Sequence, residues 1–234
     1  MKLSKTLKNS FAPILKRLAF SSLALSLTLT LLSAAPALAL ETRVIDIVSI
    51  QWAGSAPAAG SVSDAQREIE TKVGPLWKEL TTVYGDPEDK RIEFKFGASL
   101  SLPIRLNFAM PCDNNFNTWT SAVKVETYKR LGISDWQSRY LVILAPDNEC
   151  IWSGRALIGD AKRAGGTIVL HDSIDGFIVA HELGHSLGLG HSNFIRCPSG
   201  ASDGSWSTCK AVEYGGSIDL MGNVDVSTPL STYH

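Results

Sequence analysis

Three of the chain's five histidines fall within one eleven-residue segment, His181-Glu182-Leu183-Gly184-His185-Ser186-Leu187-Gly188-Leu189-Gly190-His191. This segment restricts the fold more than any other. His181 and His185 stand four positions apart, which on an α-helix is about 40° of rotation and one turn of rise, so their imidazoles share a face. Val179, Leu183 and Leu187 repeat on a different face and are suited to pack on a sheet. Gly188 stands where the helix has to stop, since glycine takes a left-handed C-terminal turn at little steric cost. That turn can bring His191 back as a third nitrogen donor. Three imidazoles and one open position are the donor set of a catalytic zinc rather than of a closed structural site. Glu182 points about 100° away from its histidine neighbour. It is poorly placed as a ligand and well placed as a general base.

Upstream, strands and helices alternate. Arg43–Trp52 carries Val44, Ile45, Ile47, Val48 and Ile50 and reads as a buried strand. Ala53–Ser63 reads as a loop, and Asp64 as the cap of a helix reaching about Val83, kinked or split at Gly74-Pro75. Arg91–Phe96 alternates as a half-exposed strand. Pro103–Asn117 reads as irregular, Thr118–Leu131 as a helix stopped by Gly132, and Arg139–Leu144 as a third strand. Ile151–Ile158 reads as a short edge strand and Thr167–Leu170 as another strand. A helix from about Ser173 to Leu187, capped by Asp172, carries the histidines. Little regular pattern follows Gly188. The order predicts an α/β (α+β) fold with a mostly parallel sheet.

The first 39 residues read as a secretory signal peptide. Lys2, Lys5, Lys8, Lys16 and Arg17 form a basic head, Leu18–Leu32 an apolar run, and Ala37-Leu38-Ala39 a cleavage site. The remaining 40–234 is expected to be one domain. The leader takes five bases and no acid from 22 Lys+Arg and 23 Asp+Glu, leaving a net charge of −6. An acidic chain without a basic run is a poor ligand for nucleic acid or an anionic membrane. Cys112, Cys150, Cys197 and Cys209 allow three pairings of two disulfides. Cys197–Cys209 is favoured because it closes a short loop, with Cys112–Cys150 as the remainder. No C-x-x-C pair points to a cysteine zinc site.

The histidine segment matches H-E-x-x-H-x-x-G-x-x-H and resembles the metzincin clan of zinc peptidases. Asp219-Leu220-Met221-Gly222, about 30 residues after His191, resembles the clan's Met-turn. There Met221 would lie under the histidines as an apolar floor and would not ligate. Glu213–Gly222 and His191-Ser192-Asn193 resemble the gametolysin-like peptidases, secreted enzymes that include degraders of glycoprotein cell walls. The specific matches cover about residues 178–223. The resemblance implies a metzincin-like twisted sheet with an antiparallel edge strand and an active-site helix. It also implies an N-terminal subdomain of about 40–190 and a short irregular C-terminal one of about 191–234. The chain ends 13 residues beyond Met221, where metzincins usually continue into a further helix. By analogy, Ile151–Ile158 would receive an extended peptide by β-augmentation.

The expected function is therefore a secreted zinc-dependent endopeptidase with one Zn2+ on His181, His185 and His191. A zinc-bound water would attack the peptide carbonyl, with Glu182 as base. The expected location is extracellular, cell-wall or periplasmic. The expected partner is a protein or glycoprotein substrate, with no stable membrane association after signal cleavage, and the expected state a monomer. The rivals are a zinc-binding protein without turnover and a zinc hydrolase of a non-peptide bond. His171 is assigned a surface or capping role and His234 a mobile terminal one; Tyr214 and Tyr233, which by resemblance to some metzincins could stabilise an oxyanion, are assigned core or surface packing roles. Trp152 is a possible cleft wall.

Overall fold

The computed structural model describes residues 40–222, apart from 59, 84–90, 110–111, 113–114, 147–149, 172–173, 201–203, 206 and 216–218. The signal-peptide reading of 1–39 lies outside the described residues, as do Asp172, Tyr233 and His234.

The first strand, β1 (Leu40–Gln51), is the axis of the sheet. Its Ile45, Ile47, Val48 and Ile50 are fully buried because helices cover both faces. β2 (Arg91–Ser99) lies on one side of it and β4 (Tyr140–Leu144) on the other. Next come β6 (Gly166–Leu170) and the edge strand β5 (Gly154–Ala156), giving the order β2-β1-β4-β6-β5. β3 (Ile104–Arg105) pairs with the far end of β1. All pairings in this sheet are parallel except β5 with β6. The result is a mixed α/β protein with a mostly parallel sheet and an antiparallel edge, as the alternation predicts.

Period-two alternation divides the core. Ile45, Ile47, Val142, Leu144, Ile168 and Leu170 face α1 (Val62–Glu68), α2 (Gly74–Val83) and the histidine helix α4 (Gly176–Ser186). Val48, Ile50, Leu141, Ile143 and Val169 face α3 (Phe116–Leu131), where Trp52, Phe116 and Trp119 close the layer. Each layer buries large apolar side chains at about 1.5–3 kcal/mol apiece.

Several boundaries differ from expectation for physical reasons. The cap of α1 is Ser61 rather than Asp64: Ser61 Oγ accepts from the Asp64 N–H, and Asp64 closes a capping box as the third helical residue. The helix is not broken at Gly74-Pro75. Pro75 has no N–H to donate, and the chain widens into a π-helical turn over Ile69–Val73, with the Gly74 N–H bonding to Ile69 O. Gly74 also lies against β2, where a Cβ would come 2.5 Å from the Phe94 carbonyl oxygen. The irregular stretch contains β3, and α3 begins two residues early at Phe116. The edge strand shrinks to three residues. Beyond Gly188 the chain is more regular than expected: β7 (Phe194–Arg196) and β8 (Lys210–Val212) form an antiparallel hairpin. Cys197–Cys209 ties its strand ends together, and Cys112–Cys150 ties the α3 approach to the loop before β5.

The Cys112 carbonyl accepts from Arg155 Nη1 at 2.8 Å and from Trp152 Nε1 at 3.3 Å, and the Arg155 guanidinium lies 4.7 Å over the Phe116 ring. Arg155 and Trp152, which also border the cavity beside the histidines, thus pin the edge strand. Among the described residues no helix is long and apolar enough to cross a membrane.

Candidate metal centre

α4 starts at Asp175, whose carboxylate accepts from the Phe177 N–H at 2.8 Å. A second carboxylate, Glu68 on α1, accepts from the Gly176 N–H at 3.1 Å. Two acids at the positive end of the helix hold it in place. Val179, Ala180 and Leu183 pack on the sheet, and His181 and His185 face outward together with Glu182. Gly188, at φ 99°, makes the left-handed turn that returns His191.

The three imidazoles converge. Ring centroids are 4.9 Å apart for His181–His185, 4.6 Å for His185–His191 and 5.6 Å for His181–His191. One nitrogen of each lies within 4.8 Å of the others, and among the described residues this is the one group with metal-ligand geometry. Each Nδ1 is committed elsewhere. His181 Nδ1 meets Leu220 O at 2.8 Å, His185 Nδ1 meets Leu189 O at 2.8 Å, and His191 Nδ1 meets a Glu213 carboxylate oxygen at 2.7 Å. A carbonyl oxygen only accepts, so His181 and His185 carry their proton on Nδ1 and present Nε2 as a lone pair. Such outer hydrogen bonds orient imidazoles for metal binding. Burial pushes the His181 pKa down to about 4, against the bond to Leu220 O, and burial likewise lowers that of His185. Both are therefore neutral near pH 7, as a ligand must be.

Glu182 is 6 % exposed. The Ala156 N–H donates to its carboxylate, and Oε2 has no partner. Burial pushes its pKa up to about 8, with Ala156 and the Arg155 charge opposing. An ionised carboxylate so buried calls for a cation beside it. The donor set and the orphaned oxygen together fit a divalent metal ion. The folded pKa lies above the unfolded 4.5, so stability is lost as pH rises from 4.5 through about 8. Metal-free Glu182→Gln is therefore expected to exceed the metal-free wild type in stability by roughly 2–4 kcal/mol at pH 8.5. The gap should close near pH 4.5. Urea titrations of both at the two pH values check this, and an equal gap at both would refute the assignment.

Met221 is fully buried and packs against α4 at Gly184, where a Cβ would come 2.4 Å from its sulfur. The turn around it is tied on three sides. Asp219 Oδ1 accepts from the Met221 N–H, Leu220 O receives His181, and Met221 O accepts from the Ser192 N–H at 2.7 Å. Gly184→Ala is expected to push Met221 and Leu220 outward. We expect a loss of about 1–3 kcal/mol in stability together with weaker metal binding. Metal titration of the variant tests it: affinity within twofold of wild type would show that the contact relaxes freely.

Three residues are placed differently from the sequence expectation. Tyr214, assigned a packing role over an oxyanion one, lays its ring on His191 at 3.7 Å between centroids, and at 6.2 Å from His181. It is held at φ 56°, a left-handed conformation rare for tyrosine. Burial, then Glu182 and Glu213, raise the Tyr214 pKa, so its hydroxyl stays protonated. Glu213 carried no signal beyond lying in a motif string; its role depends on a contact 22 positions away. His171, expected on the surface or as a cap, is 2 % exposed, with its ring 4.7 Å from Trp152. It ends the buried strand β6 behind the cleft wall and is not part of the histidine group. Of the five histidines, the structure brings together the three expected.

Two cavities flank Glu182. One, of ≈ 460 Å³, reaches from His181 to Asp175 and Phe177. The other, of ≈ 310 Å³, reaches past His185 and His191 to Ile158. Trp152, Gly154, Glu182 and Tyr214 border both. Together they make an elongated trough beside the edge strand, with the metal centre in the middle.

No family model and no curated protein matches this chain. Among solved structures it is similar to one described as the structure of a chaperone-substrate complex, at 16% identity and a TM-score of 0.39. The match covers 82% of this chain and 29% of that one.

Proposed function

We propose that this chain is a secreted zinc endopeptidase of metzincin type. The observation that carries the reading is three imidazoles locked by their Nδ1 atoms with their other nitrogens convergent, next to a buried carboxylate whose Oε2 is unpartnered. His181, His185 and His191 would hold Zn2+. When bound, zinc lowers the pKa of a ligated water and polarises the carbonyl to be cut.

The chain's own residues supply the rest. Glu182 takes a proton from the attacking water and returns it to the leaving amine. The edge of β5 turned away from β6 receives an extended peptide. The two cavities then accept side chains on either side of the cut. Tyr214, protonated and stacked on His191, donates a hydrogen bond to the developing oxyanion. Tyr214→Phe is expected to reduce kcat by about 10–100-fold with zinc affinity unchanged, since it removes one donor. A variant as active as wild type would remove Tyr214 from the chemistry.

The reading as a whole is tested by incubating purified residues 40–234 plus zinc with a denatured protein, with and without a chelator. Cleavage that stops with chelation and returns with zinc supports it. Stoichiometric zinc binding with no cleavage across a panel of unfolded proteins would leave a zinc-binding protein without turnover.

A further inference from the structure

We propose that the cavity on the Asp175 side of Glu182 is a pocket for a lysine or arginine side chain of the substrate. The inference rests on the peptidase reading above and deepens it. The cavity, ≈ 460 Å³, begins at His181 and Glu182 and ends at the start of α4. Trp152, Phe177, Ile178 and Leu220 supply an apolar wall, while the larger share of its surface is polar. None of the described residues lining it is lysine or arginine.

At its far end lies Asp175. One carboxylate oxygen, Oδ1, is committed to the Phe177 N–H at 2.8 Å; among the described residues Oδ2 has no hydrogen-bond partner. The neighbouring cation compensates this acid only in part, since Lys72 feels the charges of both Glu68 and Asp175. Lys72, the nearby cation, is paired at 2.7 Å with Glu68, which also accepts from the Gly176 N–H. Two acids share one cation, and one negative charge remains.

A long side chain with an apolar stem and a cationic head satisfies both parts of this pocket. The methylenes lie along Phe177 and Ile178 while the head reaches Asp175. An acidic side chain would meet like charge. A purely apolar one would expel water from Asp175 and leave its free oxygen unpaired.

Asp175→Asn separates binding from folding, because asparagine caps a helix about as well as aspartate. The first measurement is the set of sites cut by zinc-loaded wild type and by Asp175→Asn in denatured proteins. We expect lysine and arginine to be enriched about tenfold at one fixed position beside the cut for wild type, and not for the variant. The second is binding of two peptides, identical except for lysine or norleucine, to zinc-loaded Glu182→Gln with and without Asp175→Asn. A preference for lysine that vanishes with Asp175→Asn supports the pocket. Cleavage without basic enrichment, or enrichment that survives Asp175→Asn, overturns the pocket and leaves the peptidase reading standing. A lysine preference in binding with no cleavage by wild type overturns the peptidase reading and leaves the pocket. Neither cleavage nor preference overturns both.

Discussion

Glu182→Gln is expected to slow cleavage of a denatured protein by about 10²–10⁴-fold at pH 7 while zinc still binds at one equivalent. The expectation comes from what glutamine keeps and what it loses. It has nearly the same size, so Gly154, whose Cβ would come 2.8 Å from Glu182 Oε1, still seats against it. Its carbonyl oxygen can still accept from the Ala156 N–H. It cannot accept a proton and carry it to the leaving group. A transition-state loss of this size is about 3–5.5 kcal/mol, and it should appear in kcat rather than in KM. Zinc titration and kinetics on one preparation divide the alternatives. A variant retaining more than a tenth of the activity would show that another group is the base. A variant that loses zinc would make Glu182 a ligand and undo the division of roles between it and the histidines.

The second large effect concerns stability and lies away from the metal centre. Asp46 is fully buried in the middle of β1. Arg139 reaches it with two nitrogens at 2.6 Å, the Tyr128 hydroxyl donates to it at 3.0 Å and the Ala98 N–H at 2.8 Å. Burial first, and Asp46 next, push the Tyr128 phenol far up, so it stays a donor. Asp46→Ala removes the acceptor shared by these three groups and leaves a guanidinium at 21 % exposure without its anion. We expect a loss of about 3–5 kcal/mol, the cost of breaking one side of a buried pair. Urea unfolding of the metal-free protein measures it, and a change below about 1 kcal/mol would mean that Arg139 finds water instead. The same cluster joins β1, β2, α3 and the start of β4. Strong destabilisation there should lower zinc occupancy only indirectly, through the unfolded fraction.

Much of this molecule is readable along the chain. The histidine spacing, the glycine stop and the acid beside the first histidine are all local. A helix of 3.6 residues per turn converts them into a common face without help from the rest of the fold. The apolar run of β1 and the alternation of helical and extended patterns lead to the layered parallel sheet for the same reason. The favoured cysteine pairing is the one present, since the short loop between Cys197 and Cys209 is cheap to close.

What the chain alone could not decide depends on partners far apart in sequence. His181 is oriented by Leu220 O, 39 positions on, and His191 by Glu213, 22 positions on. Tyr214 reaches the centre only because the β7–β8 hairpin, held by its disulfide, folds back over His191. His171 has the sequence context of a loop residue, yet the edge strand and Trp152 bury it. Dihedral preference and side-chain periodicity act within a few residues, so sequence alone determined which histidines are candidates for one cluster and the helix that aligns two of them. Only the packing of distant segments could decide which tautomer each histidine takes, that Glu182 Oε2 is left without a partner, and which acid stands at the end of the trough.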